Sequence, residues 1–186
     1  MAIYMAFLRG INVGGRNKIK MAELRSLFQS MGFHTVQTYI QSGNVLFCSD
    51  EDADVLRQRI EQEIDKAFSI SLTVVLRTSS ELDQIIETCP FPEAIRHEAG
   101  VSTEVETFYV SLLLESPAQE GIDYLRTFVS PTDEFRIQNR EVYLLVRNGV
   151  RNSLLANNLV KLNVPSTMRN WKTITKLNAL AKTMSG

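Results

Sequence analysis

Along this chain the apolar residues switch between two spacings, and the order of the switches occurs twice. A spacing of two marks a strand, and a spacing of three to four marks a helix. Ile3 to Leu8 is short, apolar and β-rich, and Arg9-Gly10 ends it. Lys20 to Met31 has Met21, Leu24, Leu27, Phe28 and Met31 at helical spacing, and Gly32 is placed to end it. Val36, Thr38 and Ile40 alternate with Gln37, Tyr39 and Gln41. Ser42-Gly43 then signals a turn, and Asn44 to Cys48 returns as the second arm of a hairpin. Asp50 to Phe68 is the next helix, with acids in its first turn and Leu56, Ile60, Ile64 and Phe68 as its buried stripe. Leu72 to Leu76 is a strand. Thr78-x-x-Glu81 is a capping box for a short helix that Pro90 and Pro92 stop.

The second half begins with a strand, Thr107 to Leu114. Ser116-Pro117-x-Gln119 combines a cap, a proline at the first helical position and a capping-box Gln. A second hairpin, Glu134 to Gln138 and Glu141 to Val146, turns at Asn139-Arg140. Helices follow over Ser153 to Leu162 and from a cap at Asn170. The expected class is α+β: two related ferredoxin-like halves, βαββαβ and then a βαββαα variant, in largely antiparallel sheets with helices packed on them. The two hairpins share three of six residues between Ile40–Val45 and Ile137–Val142. The expected organisation is an N-terminal half over 1–92, a C-terminal half over 105–186, and a linker or loop over 93–104.

Composition excludes several classes. Apolar residues are 44% and charged residues 22%, the ordinary globular range rather than that of a disordered or fibrous chain. Two cysteines are too few for a disulfide scaffold. His34, Cys48, Cys89 and His97 have no zinc-ligand spacing, so no metal is expected. Ala2 to Leu8 is too short to span a bilayer and lacks the lead-in and cleavage site of a secretory signal. The expectation is a cytoplasmic, soluble protein with no membrane partner.

The formal net charge of −1 counts against a general polyanion binder. Its distribution is uneven. Residues 1–50 carry five Lys/Arg and two Asp/Glu, residues 51–130 six and sixteen, and residues 131–186 nine and three. The basic segments hold three polar loops.

The first loop runs from Arg9 to Lys20 and joins a strand to a helix. Gly14 and Gly15 let a backbone approach a ligand, and Asn12 adds an amide. Free N–H groups at the helix start favour an anion. Arg9, Lys18 and Lys20 supply positive charge, and Arg9 offers the planar fork that fits phosphate. The spacing is neither a Walker loop nor a dinucleotide fingerprint. The bland alternative is a loop whose glycines only solve turn geometry. The second loop offers Gln41, Ser42 and Asn44 at a hairpin tip, where Ser-Gly-Asn is also good turn chemistry. The third is Thr167 to Thr173. Arg169 there stands before a helix start, Asn170 is a cap, and Trp171 is either a stacking ring or a core anchor. No Ser-His-Asp, Cys-His or H-E-x-x-H arrangement is present, so neither a nucleophile nor a general base is assigned and no cofactor is implied. Cys48 and Cys89 read as packed thiols.

At these loops the chain resembles a known family. FLRGINVGGRNKIKM, YIQSGNVLF and TMRNWKTITKL are similar to the opening, hairpin and closing signatures of the bacterial LRGINVGG proteins, domain-of-unknown-function family 1697. The likeness runs from about residue 3 to residue 181. Met168 departs from it, standing where a small residue is expected beside Arg169. The resemblance implies an α+β fold with ferredoxin-like elements and carries no established activity.

Three functions follow for comparison. The preferred one is a site for a small anion of the phosphate or nucleotide type, built from the Gly-rich and basic loops. The second is a structural or protein-interaction module. The third is a single-stranded nucleic-acid binder, since the RNA-recognition module shares the βαββαβ order. Asn44-Val45-Leu46-Phe47 lacks that module's aromatic-rich third strand.

Overall fold

A computed structural model describes residues 1–101 and 105–184. The chain divides into two compact units. The first is Met1–Gln84 with Leu177–Gly186, and the second is Ile85–Lys176.

The first unit contains strand β1 (Ala2–Leu8), helix α1 (Met21–Ser30), strands β2 (His34–Tyr39) and β3 (Asn44–Ser49), helix α2 (Ala53–Phe68) and strand β4 (Val74–Thr78). The sheet order is β2-β3-β1-β4, with every pairing antiparallel. This is the split βαβ arrangement that the order of spacings predicts. One sheet face, with Tyr4, Ala6, Leu8, Val45, Phe47 and Val74, packs with Leu24, Phe28, Leu56, Ile60 and Ile64 into one core. Met5, Phe7, Leu46 and Val75 on the other face are also buried. Continuous apolar runs such as Ile-Tyr-Met-Ala-Phe-Leu suit strands covered on both sides. Helix α2 is capped by Asp52, whose Oδ1 accepts from the Asp54 N–H at 2.9 Å.

Helix α3 (Ser79–Glu87) follows β4 directly, and the Thr78–Glu81 capping box forms in both directions. Residues 93–101, expected as linker or loop, instead form helix α4 (Glu93–Val101). The Pro92 carbonyl accepts from the Ile95 and Arg96 N–H groups, and Ala99 is buried. One small buried residue per two turns is too faint a stripe to show as periodicity. Residues 102–104 of that expected linker lie outside the described residues.

The second unit has strand β5 (Phe108–Leu113), helix α5 (Gln119–Arg126), strands β6 (Asp133–Gln138) and β7 (Glu141–Val146), helix α6 (Leu154–Asn157) and strand β8 (Ser166–Asn170). The sheet order β6-β7-β5-β8 repeats that of the first unit. The final helix, α7 (Trp171–Met184), begins in the second unit and ends in the first. Three details differ from expectation. Strand β8 completes a βαββαβ order in place of the βαββαα variant. The expected helix over Ser153–Leu162 is broken into α6 and a 3-10 turn at Leu159–Leu162. The Ser116 capping box does not form: α5 starts at Gln119 after an uncapped Ala118, and the Gln119 side chain donates to Asp123.

Candidate functional site

The first unit gathers two of the three loops. Ile11 and Ile19 are buried and anchor the ends of the glycine loop in the core. Between them the chain turns at Val13-Gly14-Gly15-Arg16, closed by an Arg16 N–H to Val13 carbonyl bond of 3.0 Å. Gly14 and Gly15 have φ of +57° and +76°, the signs a type I′ turn requires at both central positions. Nothing lies within 4 Å of where a Cβ on either glycine would sit. Turn geometry therefore accounts for this pair without a close approach.

Two asparagines fix the loop. Asn12, at φ +54°, donates from Nδ2 to the Ile19 carbonyl at 3.0 Å and to the Gln41 carbonyl at 2.9 Å. Its Oδ1 accepts from the Ile19 N–H at 2.9 Å. Asn17, at φ +48°, donates to the Gly10 carbonyl at 3.1 Å. Asn tolerates this left-handed region better than most residues because its short amide bonds locally.

The hairpin tip sits against the loop through Gly43. A Cβ there would fall 2.7 Å from Ile11 Cδ1, and the Leu8 N–H donates to the Gly43 carbonyl at 2.9 Å. Asn44 is buried and donates to the Tyr39 carbonyl at 3.0 Å and to Ser42 Oγ at 2.9 Å. Ile40 holds φ +48°, an uncommon place for a β-branched residue.

Between loop and tip lies an open cleft of about 610 Å³, walled by Asn12, Gly15, Lys18, Ile19, Lys20, Met21, Glu23 and Gln41. Helix α1 starts on this wall. Its cap position is Lys20, whose side chain makes no capping bond. Lys20 Nζ lies 3.5 Å from Glu23, and both side chains are largely exposed. Lys18 has no ion-pair or hydrogen-bond partner among the described residues. Arg9, Gly14, Ser42 and Asn44 do not line the cleft.

The third loop belongs to the second unit and is largely a strand. In β8, Val110 pairs with Arg169 and Ser111 with Met168. Arg169 is 8% exposed, and its Nη1 donates to Thr167 Oγ1 at 2.7 Å and to the Met168 carbonyl at 2.9 Å. Burial lowers its pKa to about 10, so it stays cationic at neutral pH. Asn170 caps α7, accepting from the Thr173 N–H at 2.8 Å. Trp171 is buried with its ring 5.2 Å from that of Phe108. Sequence reasoning missed Arg77, the counterpart of Arg169 in the first unit. It is 1% exposed, donates to the preceding Leu76 carbonyl at 2.8 Å, and stands one residue before the Thr78 cap. The repeated order, apolar residue, Arg, cap and helix, is visible in Leu76–Ser79 and Met168–Trp171 once the halves are aligned.

Cys89 is half-buried, and burial pushes its thiol pKa up, away from nucleophilic use. No group of three or more metal-ligating side chains occurs among the described residues. No described helix is long and apolar enough to cross a membrane.

The chain is built of tandem βαββαβ units, each with a four-stranded antiparallel sheet. Residues 1–143 match the family of proteins of unknown function designated DUF1697, and the chain belongs to that family. The match covers the first two loops and ends before the third. Among solved structures the chain is similar to a conserved bacterial protein from Streptococcus pneumoniae. The two share 20% identity and a TM-score of 0.72, over 97% of this chain and 98% of the other. At that identity the likeness concerns the fold alone. No curated protein matches the chain.

Proposed function

We propose that the first unit binds a small anion, of the phosphate or nucleotide type, in the cleft at the start of α1. The observation that carries this reading is the uncapped helix start opening onto a cleft with Lys18 and Lys20 on its wall. The first N–H groups of a helix have no partners within it, and the dipole adds positive potential there. Gln41 also lines the cleft, and its amide is of a type that can bond a sugar or base. Arg9 and Arg16, exposed and unpaired among the described residues, extend the positive field around the loop. The proposed cleft is lined by first-unit residues, and Arg169 and Trp171 are buried in the second unit.

The reading of the loops as structural parts only draws on the Asn12 and Asn44 side chains, which each make two or more hydrogen bonds to protein groups. Nucleic acid is disfavoured by β1 and β3 burying both of their faces, since the RNA-recognition module stacks bases on an open sheet.

Calorimetric titration of the full chain with inorganic phosphate, pyrophosphate and ATP at low salt tests the proposal. Saturable binding is expected with at least one of them, weakened about threefold to tenfold by Lys18→Ala or Lys20→Ala. No heat from any of the three, or binding indifferent to both substitutions, sinks it and leaves the structural reading.

A further inference from the structure

We propose that Asn12 is a latch that makes the glycine loop and the hairpin tip open and close as one unit. The inference rests on hydrogen bonding within the first unit and stands whether or not an anion binds.

The ends of the loop are pinned by Ile11 and Ile19, which are 1% and 2% exposed, whereas residues 13–18 are exposed. The stretch between the pins is held mainly by polar links. All three hydrogen-bonding positions of the Asn12 amide that face the protein are used. Two close the neck of the loop on Ile19, and the third reaches 29 residues along the chain to Gln41. The tip is seated on β1 by the Gly43 carbonyl, which accepts from Leu8. Opening the loop alone therefore breaks the Gln41 link. Lifting the tip alone breaks the same link. A shared bond makes each opening less costly when the other has occurred, which is coupling. Among the described residues the Asn17 side chain, by contrast, bonds only within the loop, to the Gly10 carbonyl.

Because Asn12 and Asn17 both hold positive φ, glycine keeps the backbone and deletes only the side-chain bonds. The test is residue-resolved amide hydrogen exchange on the full chain. The Ile19 N–H reports the loop, and the Leu8 N–H reports the seated tip. In Asn12→Gly both are expected to exchange about five- to tenfold faster, the effect of one or two lost bonds. In Asn17→Gly the Arg16 N–H is expected to speed up while Leu8 stays unchanged. A Leu8 rate unaffected by Asn12→Gly overturns the proposal. Should Asn12→Gly not fold, the native chain alone decides. Equal opening free energies and equal denaturant slopes for Ile19 and Leu8 uphold the latch, and unequal ones overturn it.

Discussion

At the scale of single residues, the glycines separate into two kinds. Gly15 is required by its φ and has open space around it, whereas Gly43 has positive φ and a crowded neighbourhood. Alanine at Gly15 is expected to cost about 1 kcal/mol of stability, the price of a left-handed L-residue. Alanine at Gly43 is expected to cost about 2–4 kcal/mol, because its Cβ would also overlap Ile11. Urea denaturation of the two variants checks the order, and equal losses would contradict the crowding. Both glycines lie in stretches legible as turns. The difference between them was not legible, because Ile11 and Gly43 are distant in sequence and meet only in the fold. Asn12 shows the same limit. Its residue type suits a ligand contact, and its neighbours show that its amide is spent on the protein.

At the scale of elements, the Thr78–Glu81 box illustrates what local chemistry decides. The Thr78 hydroxyl accepts from the Glu81 N–H at 3.2 Å, and a Glu81 carboxylate oxygen accepts from the Thr78 N–H at 2.8 Å. Thr78→Ala is expected to destabilise the chain by about 1 kcal/mol, measured by thermal unfolding. Thr78→Ser, which keeps the hydroxyl, is expected to recover most of the loss. The Ser116 box has the same sequence signature and does not form, since Gln119 bonds Asp123 one turn onward. Strand β8 was hidden for another reason. Ser-Thr-Met-Arg-Asn has no apolar alternation, and its strand character comes from five paired positions along β5. A buried arginine reads as a surface residue until its strand partner is known.

At the scale of the molecule, the first unit is discontinuous, and its C-terminal piece is held partly by charge. Asp83 on α3 accepts from Asn178 at 2.8 Å and pairs with Lys182 at 2.8 Å. The Lys182 bond, and then that of Asn178, hold the Asp83 carboxyl below its ordinary value of 3.8. A lowered carboxylate pKa contributes stability above the unfolded value and loses it as pH falls through the folded one. Asp83→Asn is therefore expected to lower stability by about 0.5 kcal/mol at neutral pH, a modest figure because the pair is largely exposed. The gap to the native chain should close as pH drops below 3.8. A gap constant down to pH 2 would show that charge is not what Asp83 contributes.

Local pattern alone carries the α+β class, the two related halves, the caps at Thr78 and Asn170, and the loops that hold glycine and positive charge. These are properties of spacing and of local bonding, which act within a few residues. The folded chain shows that the first two loops share a cleft, that Arg169 and Trp171 are buried, that residues 93–101 are helical and that β8 is a strand. The helix over 93–101 has too faint an apolar stripe to read, and the others depend on partners far along the chain, of which a one-dimensional pattern holds no record.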